Sequence, residues 1–79
     1  MRAPRDVDAS EMIKISQQYG YIIIRQTGSH IRLSKTFDDG GHHITIPNHK
    51  PIKIGTLQSI VKDVRFVNSI DIDVFYNQL

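Results

Sequence analysis

The residues best suited to chemistry in this 79-residue chain lie in Arg25-Gln26-Thr27-Gly28-Ser29-His30. Histidine is the side chain that most readily moves a proton near neutral pH. Here it follows a Gly-Ser turn. Glycine lets a backbone turn tightly and lets a ligand come close. Arg25, Arg32 and Lys35 lie near it in sequence or one strand away. Cations beside an imidazole can bind a phosphate and stabilise charge developing on it. RNA carries its own nucleophile, the 2′-hydroxyl. Cleaving it therefore needs an acid or base and a phosphate clamp, and need not involve a metal. The plainer reading of His30 is a turn histidine that caps backbone groups. On residue types alone, that reading is slightly the stronger.

The other candidates are weaker. His42 and His43 are consecutive on an extended run, so they face opposite sides. With His30 and His49 they complete the histidines, and no His-Glu-x-x-His pattern accompanies them. No metal site is expected, and most of the remaining histidines are read as solvated. Ser29 adjoins His30, but nothing evident orients a base as a triad requires. Gly55-Thr56, at a helix start, offers backbone N–H groups that could hold a phosphate, although most such starts hold only water.

The elements that must position these residues follow from periodicity. Residues 1–7 read as a short mobile polar arm. Asp8 with Glu11 three residues on fits an N-cap and its reciprocal acid, opening a helix from about Ala9 to Tyr19. Met12, Ile15, Ser16 and Tyr19 form its stripe, with Ile13 beside it, and Gly20 sits where a left-handed cap belongs. Tyr21–Gln26 is β-branched and apolar and is read as a strand, with Ile22 and Ile24 on one face and Tyr21, Ile23 and Arg25 on the other. His30–Lys35 alternates as a second strand. Thr36–Gly41 is a hairpin turn, and His42–Ile46 is a third strand stopped by Pro47. After a loop, Gly55 or Thr56 caps a second helix whose apolar face is Leu57, Ile60, Val61 and Val64. Phe66–Ser69 breaks that pattern, and Ser69 caps a short last helix carrying Ile70, Val74, Phe75 and Leu79. The order predicts a two-layer α+β domain, with one sheet face covered by helices and the other free for binding.

Composition sets the bounds. The chain is one small domain with a modest buried core. It has no cysteine, which excludes disulfides, thiolate nucleophiles and Cys-based zinc sites. No apolar run approaches the roughly 20 residues that span a bilayer, and the N-terminus lacks the pattern of a signal peptide, so an intracellular, soluble chain is expected. The net charge is +2, unevenly spread. The chain through Lys62 is basic, and the stretch from Asp63 to Leu79 is acidic. A basic body is compatible with a polyanionic partner, and a mixed solvated surface fits the charge about as well.

Taken together, Gly20-Tyr21, the Arg25–His30 stretch, Ile44-Thr45-Ile46-Pro47-Asn48-His49 and Ile54-Gly55-Thr56-Leu57-Gln58-Ser59-Ile60 resemble the HicA family of toxins, from about Ser10 to Phe66. The resemblance implies a fold like that of double-stranded-RNA-binding domains, α-β-β-β-α, here with a C-terminal extension over residues 67–79. It implies an mRNA interferase, a cytoplasmic RNA endonuclease held inactive by a HicB antitoxin. It places the catalytic histidine at His30, with Gly28 and Ser29 shaping the turn. Arg25, Arg32 and Lys35 are then candidate phosphate contacts, and Lys50 and Lys53 candidate backbone contacts. No cofactor, metal or membrane partner is expected. His49 and Gly55 also fall on family positions. The acidic Phe37–Gly41 hairpin, the apolar Pro51-Ile52 insertion and the acidic, apolar tail depart from the pattern. Two rivals remain: a non-catalytic RNA-binding module of the same fold, and an interaction protein that has lost its chemistry.

Overall fold

A computed structural model of the chain describes residues 6–38 and 40–79. The elements are α1 (Ala9–Gln18), β1 (Ile22–Thr27), β2 (His30–Phe37), β3 (Gly40–Pro47), α2 (Ile54–Asn68) and α3 (Ile72–Asn77). The strands form one antiparallel sheet in the order β1-β2-β3. This is the α+β layout expected, with the helix-facing side of the sheet supplied by Ile31, Leu33, Ile44 and Ile46. Those residues alternate with polar ones because successive strand side chains point to opposite faces.

Both long helices bury the stripes their spacing predicts. Met12, Ile15 and Ser16 of α1 are buried, and the Ser16 hydroxyl donates to the Met12 carbonyl at 2.7 Å, which satisfies it within the core. Leu57, Ile60, Val61 and Val64 of α2 are buried. Each such aliphatic side chain contributes about 1.5–3 kcal/mol through burial. The α1 C-terminus ends as its sequence suggests: Gly20 takes φ +98°, and its N–H donates to the Gln17 carbonyl at 3.1 Å.

The capping details differ from expectation. Asp8 occupies the N-cap of α1 but makes no side-chain cap bond. The N-cap of α2 is Lys53, not Gly55 or Thr56, and α2 continues through the expected break to Asn68. Ser69 closes α2 in a left-handed conformation instead of opening the last helix. Asp71 opens α3, accepting from the N–H groups of Asp73 (2.9 Å) and Val74 (3.4 Å). Asp and Ser cap about equally well, so position decides: Ser69 is taken up in closing α2, and Asp71 stands directly before the first residue of α3.

The ends of the domain are more integrated than expected. Residues 1–5 of the expected arm lie outside the described residues, but Val7 is 2% exposed and its carbonyl accepts from Ile52 N–H at 2.8 Å. Ile52 is itself buried, so the apolar insertion fills the core. Phe75 and Tyr76 of α3 are also buried, and the Phe75 ring stacks on Tyr19 with centroids 5.8 Å apart. Val74, expected on the apolar side of that helix, is exposed.

Strand bounds shift slightly. Tyr21 precedes β1 and is buried, and β2 runs on to Phe37, which pairs with Gly40. The turn is thus shorter than the Thr36–Gly41 expected, and Asp39 lies outside the described residues. The larger change is a bulge in β1. Ile23 pairs with Leu33, but Arg25 pairs with Arg32, so Ile24 is an extra residue. Such a residue reverses the alternation that follows it. Arg25 therefore shares a face with Ile22, not with Ile23.

Candidate nucleic-acid interface and active site

The face away from the helices is built by parity. Cross-strand partners share a face. The pairs Arg25–Arg32 and Thr27–His30 in β1/β2, with Arg32–Thr45 and His30–Pro47 in β2/β3, therefore stand together on the open side. The turn between Thr27 and His30 has two residues. Gly28 takes φ +55°, the positive value that tight hairpin turns require at their first central position. Ser29 follows, and its carbonyl accepts from Asn48 N–H at 2.6 Å. That bond ties the turn to the loop after β3.

His30 is exposed and borders two hollows. One, of about 270 Å³, is lined by Arg25, Thr27, His30, Arg32 and Thr45. The other, of about 390 Å³, is lined by His30, Thr45, Pro47, His49, Lys53 and Thr56. Between them they offer two guanidinium groups, an ammonium group, two imidazoles and three threonine hydroxyls. Among the described residues, no carboxylate lines either one. Such a surface suits a polyanion running across His30. The second hollow also borders the first turn of α2, whose free N–H groups favour negative charge.

The sequence candidates separate into groups. Arg25, Arg32 and Lys53 border the hollows with His30. Gly28 and Ser29 form the turn that presents it. Lys50 is exposed and borders a different hollow, beside Asp8, Ser10 and His49 at the start of α1. Lys35 lies on the helix-facing side, where its ammonium group donates to Asn68 Oδ1 and sits 5.0 Å from the Phe37 ring centroid. Of the three threonines, Thr56 lines the hollow at the helix start that the Gly55-Thr56 pair marks, and Thr27 belongs to the stretch that ends at His30. Thr45 is the addition, and strand pairing finds it, since it stands opposite Arg32. His49, which falls on a family position, lines the second hollow with His30. Among the described residues, no group of three or more His, Asp or Glu side chains is arranged to hold a metal.

The half-buried cluster around Lys35 has its own consequence. The Tyr21 hydroxyl meets His42 Nδ1 at 2.6 Å and accepts from Asn68 Nδ2 at 3.0 Å. His42 is thus bonded within the fold and not merely solvated. Burial pushes the Tyr21 phenol up and the Asp63 charge adds to this, against a lowering by the Asn68 hydrogen bond. A phenol whose folded pKa is raised contributes stability that is fully present below its unfolded value of about 10. That contribution is lost as pH rises through the folded value. Thermal melts above pH 9 should show an alkaline loss of stability that Tyr21→Phe reduces. An identical alkaline profile in the variant would refute the assignment.

The fold and the open face define a small α+β domain with a histidine set among cations. Comparison with known families gives the class: residues 9–65 match the family described as the HicA toxin of bacterial toxin–antitoxin systems. The match covers most of the chain, which therefore belongs to the HicA family and is the toxin member of a toxin–antitoxin pair. No curated protein and no solved structure matches it. Among the described residues, no helix is long and apolar enough to cross a membrane.

Proposed function

We propose that this toxin is a metal-independent RNA endonuclease, an mRNA interferase acting in the cytoplasm, with His30 as its general acid or base. The observation that carries the reading is that His30 borders both cation-lined hollows. A strand crossing the face would bring a phosphate beside the imidazole. Arg25 and Arg32 would clamp its non-bridging oxygens, since guanidinium groups match phosphate geometry. Lys53 would contact a neighbouring phosphate, with Lys50 at the periphery. Lys35 belongs to the fold in this reading, because its charge is engaged beneath α2.

The test is cleavage of a long single-stranded RNA by the purified chain in excess EDTA, beside His30→Ala. Cleavage by wild type alone supports the reading. RNA bound but uncut by both proteins would favour a non-catalytic RNA-binding module. Cleavage by both would remove His30 from the mechanism.

The HicB-like antitoxin of the pair is proposed to silence the toxin by covering the open sheet face, with acidic groups set against Arg25, Arg32 and Lys53. A structure of the complex should find His30 occluded. His30 left open to solvent there would exclude direct occlusion.

A further inference from the structure

We propose that His49 is the second proton-transfer group of the site, acting across the phosphate from His30. The inference rests on the endonuclease reading above. Transesterification by a 2′-hydroxyl needs two proton transfers. A base takes the proton from the 2′-hydroxyl as O2′ attacks phosphorus. As the P–O5′ bond breaks, an acid gives a proton to O5′. The products are a 2′,3′-cyclic phosphate and a 5′-hydroxyl. One imidazole can serve both steps only in turn, while two serve them together.

The fold supplies the second imidazole in the same hollow. His30 and His49 both line the 390 Å³ depression, with Lys53 and Thr56 beside them. Their backbones belong to one framework. His30 pairs with Pro47, and His49 N–H donates to the Pro47 carbonyl at 2.9 Å. Asn48 N–H, between them, holds Ser29. The far side of the loop is fixed as well, since the His49 carbonyl accepts from Ala9 N–H at 3.2 Å, at the start of α1. These bonds use only the main chain of His49, so its imidazole is left exposed beside the hollow. His43 makes a useful contrast: it stands on the same open face, opposite Ser34, yet lines neither hollow that His30 borders.

The experiment measures kcat and KM for RNA cleavage against pH, for wild type, His49→Ala, His49→Gln and His43→Ala. Affinity for a 2′-O-methyl RNA, which cannot be cleaved by this route, is measured alongside. The wild type should give a bell-shaped rate profile. Both His49 variants should lose one limb of the bell and about 100-fold or more in kcat, with affinity for the 2′-O-methyl RNA unchanged. His43→Ala should match wild type. The His49→Gln variant guards against a folding loss in His49→Ala, since it keeps size and polarity. If wild type cleaves, His30→Ala does not, and the His49 variants keep both limbs, this inference fails while the endonuclease reading stands. Loss of RNA affinity with kcat and both limbs intact would make His49 a binding contact and also overturn it. No cleavage by wild type would remove both.

Discussion

His30→Ala should lower RNA cleavage about 100-fold or more, the span attributed to one positioned acid or base, with little change in stability. The side chain is exposed, and no side-chain hydrogen bond holds it to the fold among the described residues. Its loss therefore opens no cavity and leaves no buried partner unpaired. Surface substitutions of that kind stay within about 0.5 kcal/mol. RNA affinity should also persist, because Arg25, Arg32 and Lys53 remain and phosphate contacts dominate affinity. The measurement pairs single-turnover cleavage with a thermal melt and a binding titration at fixed salt. A variant that cuts at the normal rate would end the assignment. One that also unfolds or releases RNA would show that His30 does structural or binding work.

Phe75→Ala should cost about 3–5 kcal/mol of folding stability, the usual price of removing a fully buried phenyl ring. The ring is 0% exposed and lies nearly parallel to Tyr19, at 8° between planes. Tyr19 in turn donates its hydroxyl to Gln78 Oε1 at 2.6 Å, so α1 and α3 hold each other through both rings and termini. A domain of this size has a total of about 4–12 kcal/mol to lose. The melting temperature should fall by roughly 12 °C or more, and the variant unfolds outright if the parent sits at the low end of that range. Val74→Ala is the matched control. That side chain is exposed on the same helix, and its loss should shift the melt little. Equal, small shifts for both variants would mean that α3 is an appendage.

The elements were legible because their periods are clear. Met12, Ile15 and Ser16, then Leu57, Ile60, Val61 and Val64, repeat as helix stripes, and Ile31 and Leu33 alternate as a strand. His30 stood out by chemistry and by its turn. The alternation of β2 already held the information about Lys35, which falls two residues after Leu33 and so on the helix-facing side. Proximity to His30 in sequence outweighed parity, and the side chain lies with Asn68 beneath α2. The burial of Val7 and Ile52 was not legible. It depends on a main-chain bond between residues far apart in sequence, and a lone apolar residue in a polar stretch carries no period. The second hollow was hidden for the same reason, since it forms only where the His49 loop and the start of α2 meet the hairpin. The N-cap of α2 is not legible by residue type, because Lys53 holds that position without a side-chain cap bond.

The extra residue in β1 bears on how this chain should be aligned with its relatives. Arg25 stands five residues before His30 and keeps its place opposite Arg32 because the ladder is counted from the hairpin turn backwards. Ile24 is the residue outside that count. A relative lacking it would bring its arginine to the same spot with the strand unbroken. A relative lacking any residue between Arg25 and His30 would swing the arginine to the other side of the sheet. Length variation in this strand is therefore not neutral. A gap opened at Ile24 preserves the site, and the same gap placed three residues later describes a different molecule.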